Sequence, residues 1–169
     1  MKKKVLICGA TGFIGRNLAE FYAKHSGYDT YGTYFTSEPY DLSGITFLKA
    51  DLRNKSDVED AMKSMDIVIQ AAATTSGAQD VVNTPYIHVT DNAIMNSLIF
   101  RTAHESKIPH VIFFSCTVMY QSSELPVKET DFDANKEIYH SYFGVGWTKV
   151  YLEKQAEFYS RLKKTKYTI

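Results

Sequence analysis

The sequence predicts an α/β protein in which one doubly wound parallel sheet lies between two layers of helices. Short β-branched or aromatic runs alternate with longer segments of helical period along the chain. Such strand–helix repetition is typical of a parallel sheet that is covered on both faces. The composition, with 44% hydrophobic and 22% charged residues among 169, is that of one ordinary globular domain.

Five strands and four helices are predicted. The strands, in chain order, are Val5–Ala10, Thr30–Phe35, Ile45–Lys49, Ile67–Ala73 and His110–Ser115. The helices, each with apolar residues at helical spacing, are Phe13–His25, Lys55–Ser64, Pro85–Ser106 and Val145–Leu162. Right-handed crossovers place the first strand at the centre and give the order 3-2-1-4-5. Tyr167–Ile169 is predicted as the stub of a sixth strand, and we interpret residues 1–169 as one domain from a longer protein.

Charge and cysteine content argue against several classes of function. With 19 Lys and Arg against 19 Asp and Glu, the chain lacks the positive field that nucleic-acid or anionic-membrane binding uses. No apolar stretch approaches the roughly 18 residues of a membrane helix, and we expect a cytoplasmic protein. Cys8 and Cys116 lie in apolar runs without metal-ligand spacing. We therefore predict buried thiols, without a disulfide or a metal site.

A glycine-rich segment joins the first predicted strand to the first predicted helix. It reads Gly9-Ala10-Thr11-Gly12-Phe13-Ile14-Gly15. In this position Gly9 allows a tight turn, Gly12 lets the backbone approach a pyrophosphate, and Gly15 lets the helix pack on the strand. The helix N-terminus supplies free N–H groups for an anion. The segment predicts a dinucleotide site, and the alternative is a tight turn without a ligand.

The G-x-x-G-x-x-G spacing resembles that of the extended short-chain dehydrogenase/reductase superfamily, which includes nucleotide-sugar epimerases, dehydratases and reductases. Asp51-Leu52 and Ala71-Ala72-Ala73 are similar to its adenine-contacting pair and its cofactor-lining alanines. The resemblance implies a three-layer Rossmann fold that binds NAD or NADP. The cofactor contacts that it implies are Gly9, Thr11, Gly12, Phe13, Ile14, Gly15, Arg16, Thr36, Asp51, Leu52, Ala72, Ala73 and Lys149. From the residues alone, Asp51 can equally lie near a helix N-cap, and the alanines can simply pack under a helix.

Cofactor preference depends on the end of the second strand. In the resembled superfamily an acidic residue there binds the adenosine ribose of NAD, whereas this chain has Tyr34 near that position, followed by Phe35-Thr36-Ser37. No carboxylate repels a 2′-phosphate, and Arg16 and the Thr36 hydroxyl are expected nearby. These features favour NADP slightly over NAD. The alternative for Arg16 is a solvated arginine in the first helical turn.

The fifth strand leads into Phe114-Ser115-Cys116-Thr117-Val118-Met119-Tyr120, which resembles the superfamily's S-S-[ST]-x-x-Y segment. The resemblance implies that Thr117 is the hydroxyl that holds the reacting oxygen. It also implies that Lys149 lowers the pKa of a catalytic tyrosine and binds ribose, and that Asn92 helps to arrange a water and this lysine. The alternatives are a threonine that caps a loop and an ordinary polar helix residue.

The catalytic tyrosine does not stand at the superfamily's spacing. Val145 lies four residues before Lys149, and Tyr142 lies seven before it. Positions four and seven residues away share one face of a helix, so Tyr142 is the natural substitute. Gly144 and Gly146 weaken the helix between them and could let the backbone bring Tyr142 closer. The alternative is an aromatic residue that packs the start of the helix.

Two features limit the match to known active sites. The literal Y-x-x-x-K, Tyr159 to Lys163, lies far from the predicted strand ends, and we interpret it as a chance match. The run from Asn92 to Ser106 most resembles the GDP-fucose synthase group, in which a cysteine follows the catalytic hydroxyl residue. Here Cys116 precedes Thr117. Because adjacent side chains at a strand end point to opposite faces, we do not expect Cys116 to replace that cysteine.

The resemblance favours an NAD(P)-dependent nucleotide-sugar epimerase or reductase, with hydride exchanged at a sugar carbon, C4 in our hypothesis. The alternative is an NAD(P)-binding regulatory protein without turnover, which Val145 favours. The segment that forms the substrate domain of such enzymes is absent from residues 1–169. The aromatic-rich segments Tyr86–Phe100 and Tyr142–Tyr159 favour a homodimer that pairs through the two long helices.

Overall fold

The structure, a computed structural model, describes residues 2–75 and 83–169. Within them, a parallel sheet of six strands has the order β3-β2-β1-β4-β5-β6. The strands are β1 (Lys3–Cys8), β2 (Tyr28–Tyr34), β3 (Ile45–Lys49), β4 (Ile67–Gln70), β5 (His110–Phe113) and β6 (Lys166–Thr168). The predicted strand order is confirmed, and the predicted stub is a strand that pairs with β5.

The longer helices of the described residues are α1 (Phe13–Ala23), α2 (Lys55–Met62), α3 (Pro85–Glu105) and α4 (Phe143–Arg161). Short 3-10 helices span Thr117–Met119, Glu129–Asp131 and His140–Tyr142. The helix starts carry recognisable signals. The Asn54 side chain caps α2 by accepting a hydrogen bond from Ser56 N, and Pro85 occupies the first turn of α3, where its missing N–H costs nothing.

Two apolar clusters hold the helices on opposite faces of the sheet. The larger one joins β1, β4 and β5 to α2, α3 and α4, with Phe100 of α3 and Leu152 of α4 fully buried in it. The smaller one joins the other face of the central strands to α1 through Ala19. Both faces of β1 are buried, because its side chains alternate between the two clusters. This doubly covered central strand matches the predicted three-layer architecture.

Several strands end earlier than the sequence predicts, and each early end builds a loop. β1 stops at Cys8, because Gly9 adopts φ +74° and turns the chain out of the sheet. β4 stops at Gln70, because the Gln70 side chain bonds to both backbone groups of Ala72. β5 likewise stops at Phe113 rather than Ser115. The residues at these carboxyl ends therefore belong to the candidate site instead of the sheet.

Along residues 2–75 and 83–169, no helix is both long and apolar enough to cross a membrane. The same residues contain no group of three or more His, Cys, Asp or Glu side chains that could hold a metal ion. Both cysteines are free. Cys8 is buried as predicted, whereas Cys116 is only half-buried, because it lies beyond the end of β5.

Candidate active site

The glycine loop after β1 has a conformation that requires glycine at two positions. Gly9 has φ +74°, and a Cβ there would lie 2.8 Å from Ala72 Cα. A side chain at Gly15 would collide with the carbonyl oxygen of Gly9. At Gly12 the nearest atom to an added Cβ is the same oxygen, at an ordinary contact distance of 3.4 Å. Packing among the described residues therefore does not require a glycine at position 12.

β2 anchors this loop through a residue that sequence reasoning missed. The Thr33 hydroxyl accepts a hydrogen bond from Gly9 N at 2.9 Å, and Thr33 O accepts one from Ala10 N at 2.8 Å. Thr33 is 1% exposed. Beside it, burial raises the pKa of the Cys8 thiol to about 12, so Cys8 stays protonated. The sequence carries no local signal for this role, because Thr33 lies 24 residues from Gly9 along the chain.

The N-terminus of α1 is open to an anion. Gly12 is the N-cap residue, no side chain caps the helix, and the first turn contains no acidic residue. Phe13, the first helical residue, is 88% exposed. The first N–H groups of a helix have no intrahelical partners and lie at the positive end of the helix dipole. This end of α1 can therefore bind a phosphate group.

Arg16, predicted near the adenosine ribose, already has partners on the protein. Its Nε lies 3.0 Å from Glu20 Oε1, and its guanidinium carbon lies 4.2 Å from the centre of the Tyr40 ring. Exposed ion pairs of this kind contribute at most about 1 kcal/mol. Thr36 is exposed two residues after the end of β2. Both predicted residues thus stay available to a ligand, and Arg16 can exchange Glu20 for a phosphate.

Asp51 and Leu52 follow β3, as the adenine-contact prediction requires. Arg53 spans the Asp51 carboxylate with two bonds of 2.9 Å, and its Nη1 bonds to Asp91 of α3 at 2.8 Å. This hydrogen-bonded guanidinium lowers the pKa of Asp51. Asn54 rather than Asp51 caps α2. Leu52 is buried.

Arg53 also contacts an aromatic ring, which sequence reasoning did not anticipate. Its guanidinium carbon lies 5.4 Å from the centre of the Phe35 ring, and Phe35 is exposed directly after β2. The guanidinium and the ring together offer planar surfaces suited to stacking with a base. An arginine two residues after Asp51 was the signal in the sequence.

The alanines after β4 lie against the glycine loop. Ala72 is the residue that a side chain at Gly9 would strike, and its N and O bond to Gln70 Oε1 at 3.2 Å and Gln70 Nε2 at 3.1 Å. Ala73 is exposed beside it. The small side chains therefore permit the close approach of two loops at the carboxyl edge of the sheet.

Asn92 of α3 is 5% exposed, and its amide is bound to the backbone. Its Oδ1 accepts a hydrogen bond from Thr74 N at 2.9 Å. Its Nδ2 donates to Thr74 O at 3.0 Å and to His88 O at 2.7 Å. These bonds use both amide hydrogens, so among the described residues Asn92 holds the loop after β4 rather than contacting Lys149.

Lys149 of α4 reaches the carboxyl end of β5 with its side chain. Its Nζ donates to Phe114 O at 2.9 Å and lies 4.7 Å from the centre of the Phe113 ring. Burial lowers the pKa of Lys149, and the neighbouring Cys116 and Glu153 oppose this shift. The ammonium group is thus held at the carboxyl edge of the sheet, one to two residues beyond the strand.

Cys116 rather than Thr117 is the neighbour that interacts with the charge of Lys149. Burial raises the pKa of Cys116, while the positive charge of Lys149 lowers it. Thr117 is exposed, and its hydroxyl makes no hydrogen bond to the residues that the structure describes. The chain is extended at Cys116, with φ −153° and ψ 162°, before the 3-10 helix begins.

Tyr142 stands at the start of α4, one residue before its first helical residue. Its ring centre lies 5.8 Å from that of Tyr139, and its hydroxyl makes no hydrogen bond within residues 2–75 and 83–169. Val145 lies in the helix one turn before Lys149 and is half-buried. The described geometry contains no contact between Tyr142 and Lys149.

The glycines of α4 act differently from the prediction. α4 is continuous from Phe143 to Arg161, so Gly144 and Gly146 do not divert the backbone toward Tyr142. They allow close packing instead. An added Cβ would lie 2.8 Å from Val89 Cγ2 of α3 at Gly144, and 3.0 Å from Ile138 and from Val118 O at Gly146.

The literal Y-x-x-x-K pair lies at the other end of α4. Tyr159 packs with its ring centre 5.5 Å from that of His104 and 6.4 Å from that of Tyr167. Lys163 follows the helix with φ +58°. This pair is therefore remote from Lys149 and from the carboxyl ends of the central strands.

Known proteins resemble the chain in sequence and in fold. The profile of the NAD dependent epimerase/dehydratase family matches residues 5–169. A GDP-L-fucose synthase from Azorhizobium caulinodans is 30% identical over 132 residues, which cover 76% of this chain and 38% of that protein. The chain thus spans less than half of this relative.

Two solved structures share the fold at low identity. A UDP-glucose 4-epimerase from Brucella ovis in complex with NAD superposes with a TM-score of 0.82 at 22% identity, covering 98% of this chain and 50% of that one. A GDP-mannoheptose C4 reductase from Campylobacter jejuni with NADP bound superposes with a TM-score of 0.80 at 17% identity, covering 98% and 46%.

Proposed function

Because the chain belongs to the NAD-dependent epimerase/dehydratase family, we propose that it binds a nicotinamide dinucleotide at the carboxyl edge of its sheet and acts on a nucleotide sugar. The observation that carries this proposal is the uncapped N-terminus of α1 beside the glycine turn. Its free N–H groups and the helix dipole favour a pyrophosphate there. The family and fold predictions made from the sequence are confirmed, while the reaction and the substrate belong to this proposal.

The residues around the edge divide the cofactor among them in this proposal. The pyrophosphate is held by the glycine loop and the first turn of α1, that is by Gly9, Thr11, Gly12, Phe13, Ile14 and Gly15. Adenine lies beside Asp51 and Leu52, and its ribose lies toward Arg16 and Thr36. The nicotinamide half is lined by Ala72, Ala73 and Lys149. The exposed Phe35 and the Arg53 guanidinium extend the adenine side. When bound, the cofactor supplies the hydride chemistry. The protein supplies position and proton transfer.

The proposed chemistry exchanges hydride at C4 of the sugar. Thr117, exposed in the 3-10 helix that follows β5, holds the reacting oxygen. Tyr142 transfers its proton, and Lys149 holds the ribose of the nicotinamide half. The C4 assignment draws on the names of the two solved relatives, a 4-epimerase and a C4 reductase.

The first experiment is a calorimetric titration of the chain with NADP and, separately, with NAD. We expect both to bind, with a modest preference for NADP, because no carboxylate follows β2 in Tyr34-Phe35-Thr36-Ser37. Glu20→Gln frees Arg16 from its ion pair and should raise the NADP affinity relative to that of NAD. If neither NADP nor NAD binds, the proposal is contradicted.

Turnover is tested separately by Tyr142→Phe, with Tyr139→Phe as the matched control, in a protein that carries its substrate domain. Tyr139 lies beside Tyr142, with the two ring centres 5.8 Å apart. Loss of hydride transfer in Tyr142→Phe alone, with cofactor affinity unchanged, is the expected result. Equal activity of both variants removes Tyr142 from the mechanism.

A second candidate function is a cofactor-binding regulatory protein without turnover. The half-buried Val145, one turn before Lys149, favours it, because a valine cannot transfer a proton. Under this alternative the wild-type protein binds NADP or NAD and exchanges hydride with no nucleotide sugar.

We also propose a homodimer through α3 and α4. Among the described residues, the outer surfaces of these helices expose Ile94, Tyr151 and Phe158. Tyr151 and Phe158 share one face of α4, and the exposed Leu162 follows directly after this helix. Sedimentation velocity should give a dimer that Tyr151→Lys dissociates. A monomer at high concentration contradicts this part of the proposal.

A further inference from the structure

Three residues with buried amide side chains, on β4 and α3, are joined by a series of hydrogen bonds that we call the ladder. The side chains of Gln70 and Asn96 bond to each other, and Asn96 bonds to the backbone carbonyl of Asn92. Gln70 and Asn96 are 1% exposed, and Asn92 is 5% exposed. Gln70 Nε2 donates to Asn96 Oδ1 at 3.0 Å. Asn96 Nδ2 then donates to Asn92 O at 2.7 Å. No part of this ladder was predicted except Asn92, which the resemblance had placed beside a water and Lys149.

The ladder holds the chain that follows β4 by its backbone. Gln70 bonds to both N and O of Ala72, and Asn92 bonds to both N and O of Thr74. After β4 ends, these amides take over the hydrogen bonds that strand neighbours supply within the sheet. Directional bonds to both groups of a residue fix its position more tightly than apolar packing does.

Ala72 carries this constraint to the glycine loop. A Cβ at Gly9 would lie 2.8 Å from Ala72 Cα, so the two backbones are in direct contact. Movement of Ala72 therefore changes the space into which Gly9 turns. The continuous path runs from Asn96 through Gln70 and Ala72 to Gly9, the first residue of the proposed phosphate loop.

A gain in folding stability does not by itself explain why these buried amides are present. Buried amides lose their hydration, and replacing both partners of a buried hydrogen bond by apolar groups of the same shape can leave stability almost unchanged. We propose that Gln70 and Asn96, together with Asn92, are positioning residues that set the conformation of the cofactor loop through Ala72. This inference rests on the proposed cofactor site.

The test compares single and double apolar replacements. Gln70→Met and Asn96→Leu each leave an amide without its partner, whereas Gln70→Met/Asn96→Leu removes both. The double variant should unfold at a higher urea concentration than Gln70→Met alone. Its NADP affinity should nevertheless stay about tenfold below that of the wild type, because the loop is misplaced. Ile99→Val, a buried apolar change in α3, is the control that lowers stability without changing the affinity.

Hydrogen exchange without any ligand gives a readout that does not depend on the cofactor. In the double variant the Gly9 amide should exchange about tenfold faster than in the wild type, although its own bond to Thr33 Oγ1 is untouched. Asn96→Ser, a smaller change, gives the same comparison if the apolar variants do not fold.

The two proposals fail in different ways. Wild-type exchange at Gly9 together with wild-type NADP affinity in the double variant overturns the positioning role. Failure of the wild-type chain to bind either nucleotide overturns the proposed function. Faster exchange of the Gly9 amide in the variants supports the effect of the ladder on the loop, whether or not the wild-type chain binds a nucleotide. A double variant that is more stable than Gln70→Met but binds NADP more weakly than the wild type supports the whole inference.

Discussion

Gly12 is the position at which a charge can be added to the proposed phosphate site without disturbing the fold. Its φ of −80° and ψ of 170° suit any residue, and an added Cβ meets only Gly9 O at 3.4 Å. In Gly12→Asp, the carboxylate can accept a hydrogen bond from the first turn of α1, as an N-cap aspartate does. We therefore expect the free energy of unfolding to rise by a few tenths of a kcal/mol.

The same carboxylate opposes a bound pyrophosphate. Two unit charges about 4 Å apart interact by about 4 kcal/mol at an effective dielectric constant of about 20. Because about 1.4 kcal/mol corresponds to a tenfold change in affinity, and salt screens part of the repulsion, we expect the Kd for NADP to rise by two to three orders of magnitude, roughly.

Calorimetry at low and high salt measures this effect, and Gly12→Asn provides the control. Asparagine has the shape and the capping ability of aspartate without its charge, so it reports the steric cost alone. If Gly12→Asp binds NADP as well as Gly12→Asn does, while both are as stable as the wild type, no phosphate lies at the N-terminus of α1.

Three further predictions concern the loop, the adenine side and the lysine. Gly15→Ala should lower the urea midpoint strongly and abolish NADP binding, because the new methyl group collides with the carbonyl oxygen of Gly9. Arg53→Gln removes the partner that lowers the pKa of Asp51. A carboxylate with a lowered pKa contributes stability above its unfolded pKa and loses it as the pH falls through its folded pKa. The difference in unfolding free energy between wild type and variant, about 1 kcal/mol or less for this partly exposed pair, should therefore be present at pH 7 and decrease as the pH falls below about 3.9, the ordinary pKa of an aspartate. Lys149→Met removes the charge that lowers the pKa of Cys116, so the rate of alkylation of this thiol between about pH 8 and pH 9 should fall. An unchanged rate contradicts the proximity of the two groups.

Most of the fold could be predicted from local pattern. Alternation of β-branched runs with helical periods predicts the strand order, because right-handed crossovers leave few arrangements of a parallel sheet. The bounds of α1 to α4 differ from the prediction by one or two residues. The strand ends at Gly9 and after Gln70 were missed, because backbone turns and side-chain bonds, rather than propensity, end those strands.

The candidate site was predictable only where its chemistry is local in sequence. The glycine loop needs no distant partner to be identified, since strand, turn and helix are consecutive. Cys116 could not be assigned in the same way, because its proximity to Lys149 depends on how α4 packs against the end of β5. The role of the glycines in α4 likewise depends on Val89 and Ile138, which belong to other parts of the chain.

Residues that are neighbours along the chain are enough to specify the layered α/β architecture, the glycine turn and the uncapped start of α1. The anchoring of the loop by Thr33, the link from Asp51 through Arg53 to Asp91, and the ladder of Gln70, Asn96 and Asn92 arise only when the chain folds. A hydrogen bond requires donor and acceptor within about 3 Å of each other. For Gly9 and Thr33, which are 24 positions apart in the chain, and for Arg53 and Asp91, which are 38 apart, folding alone sets that distance.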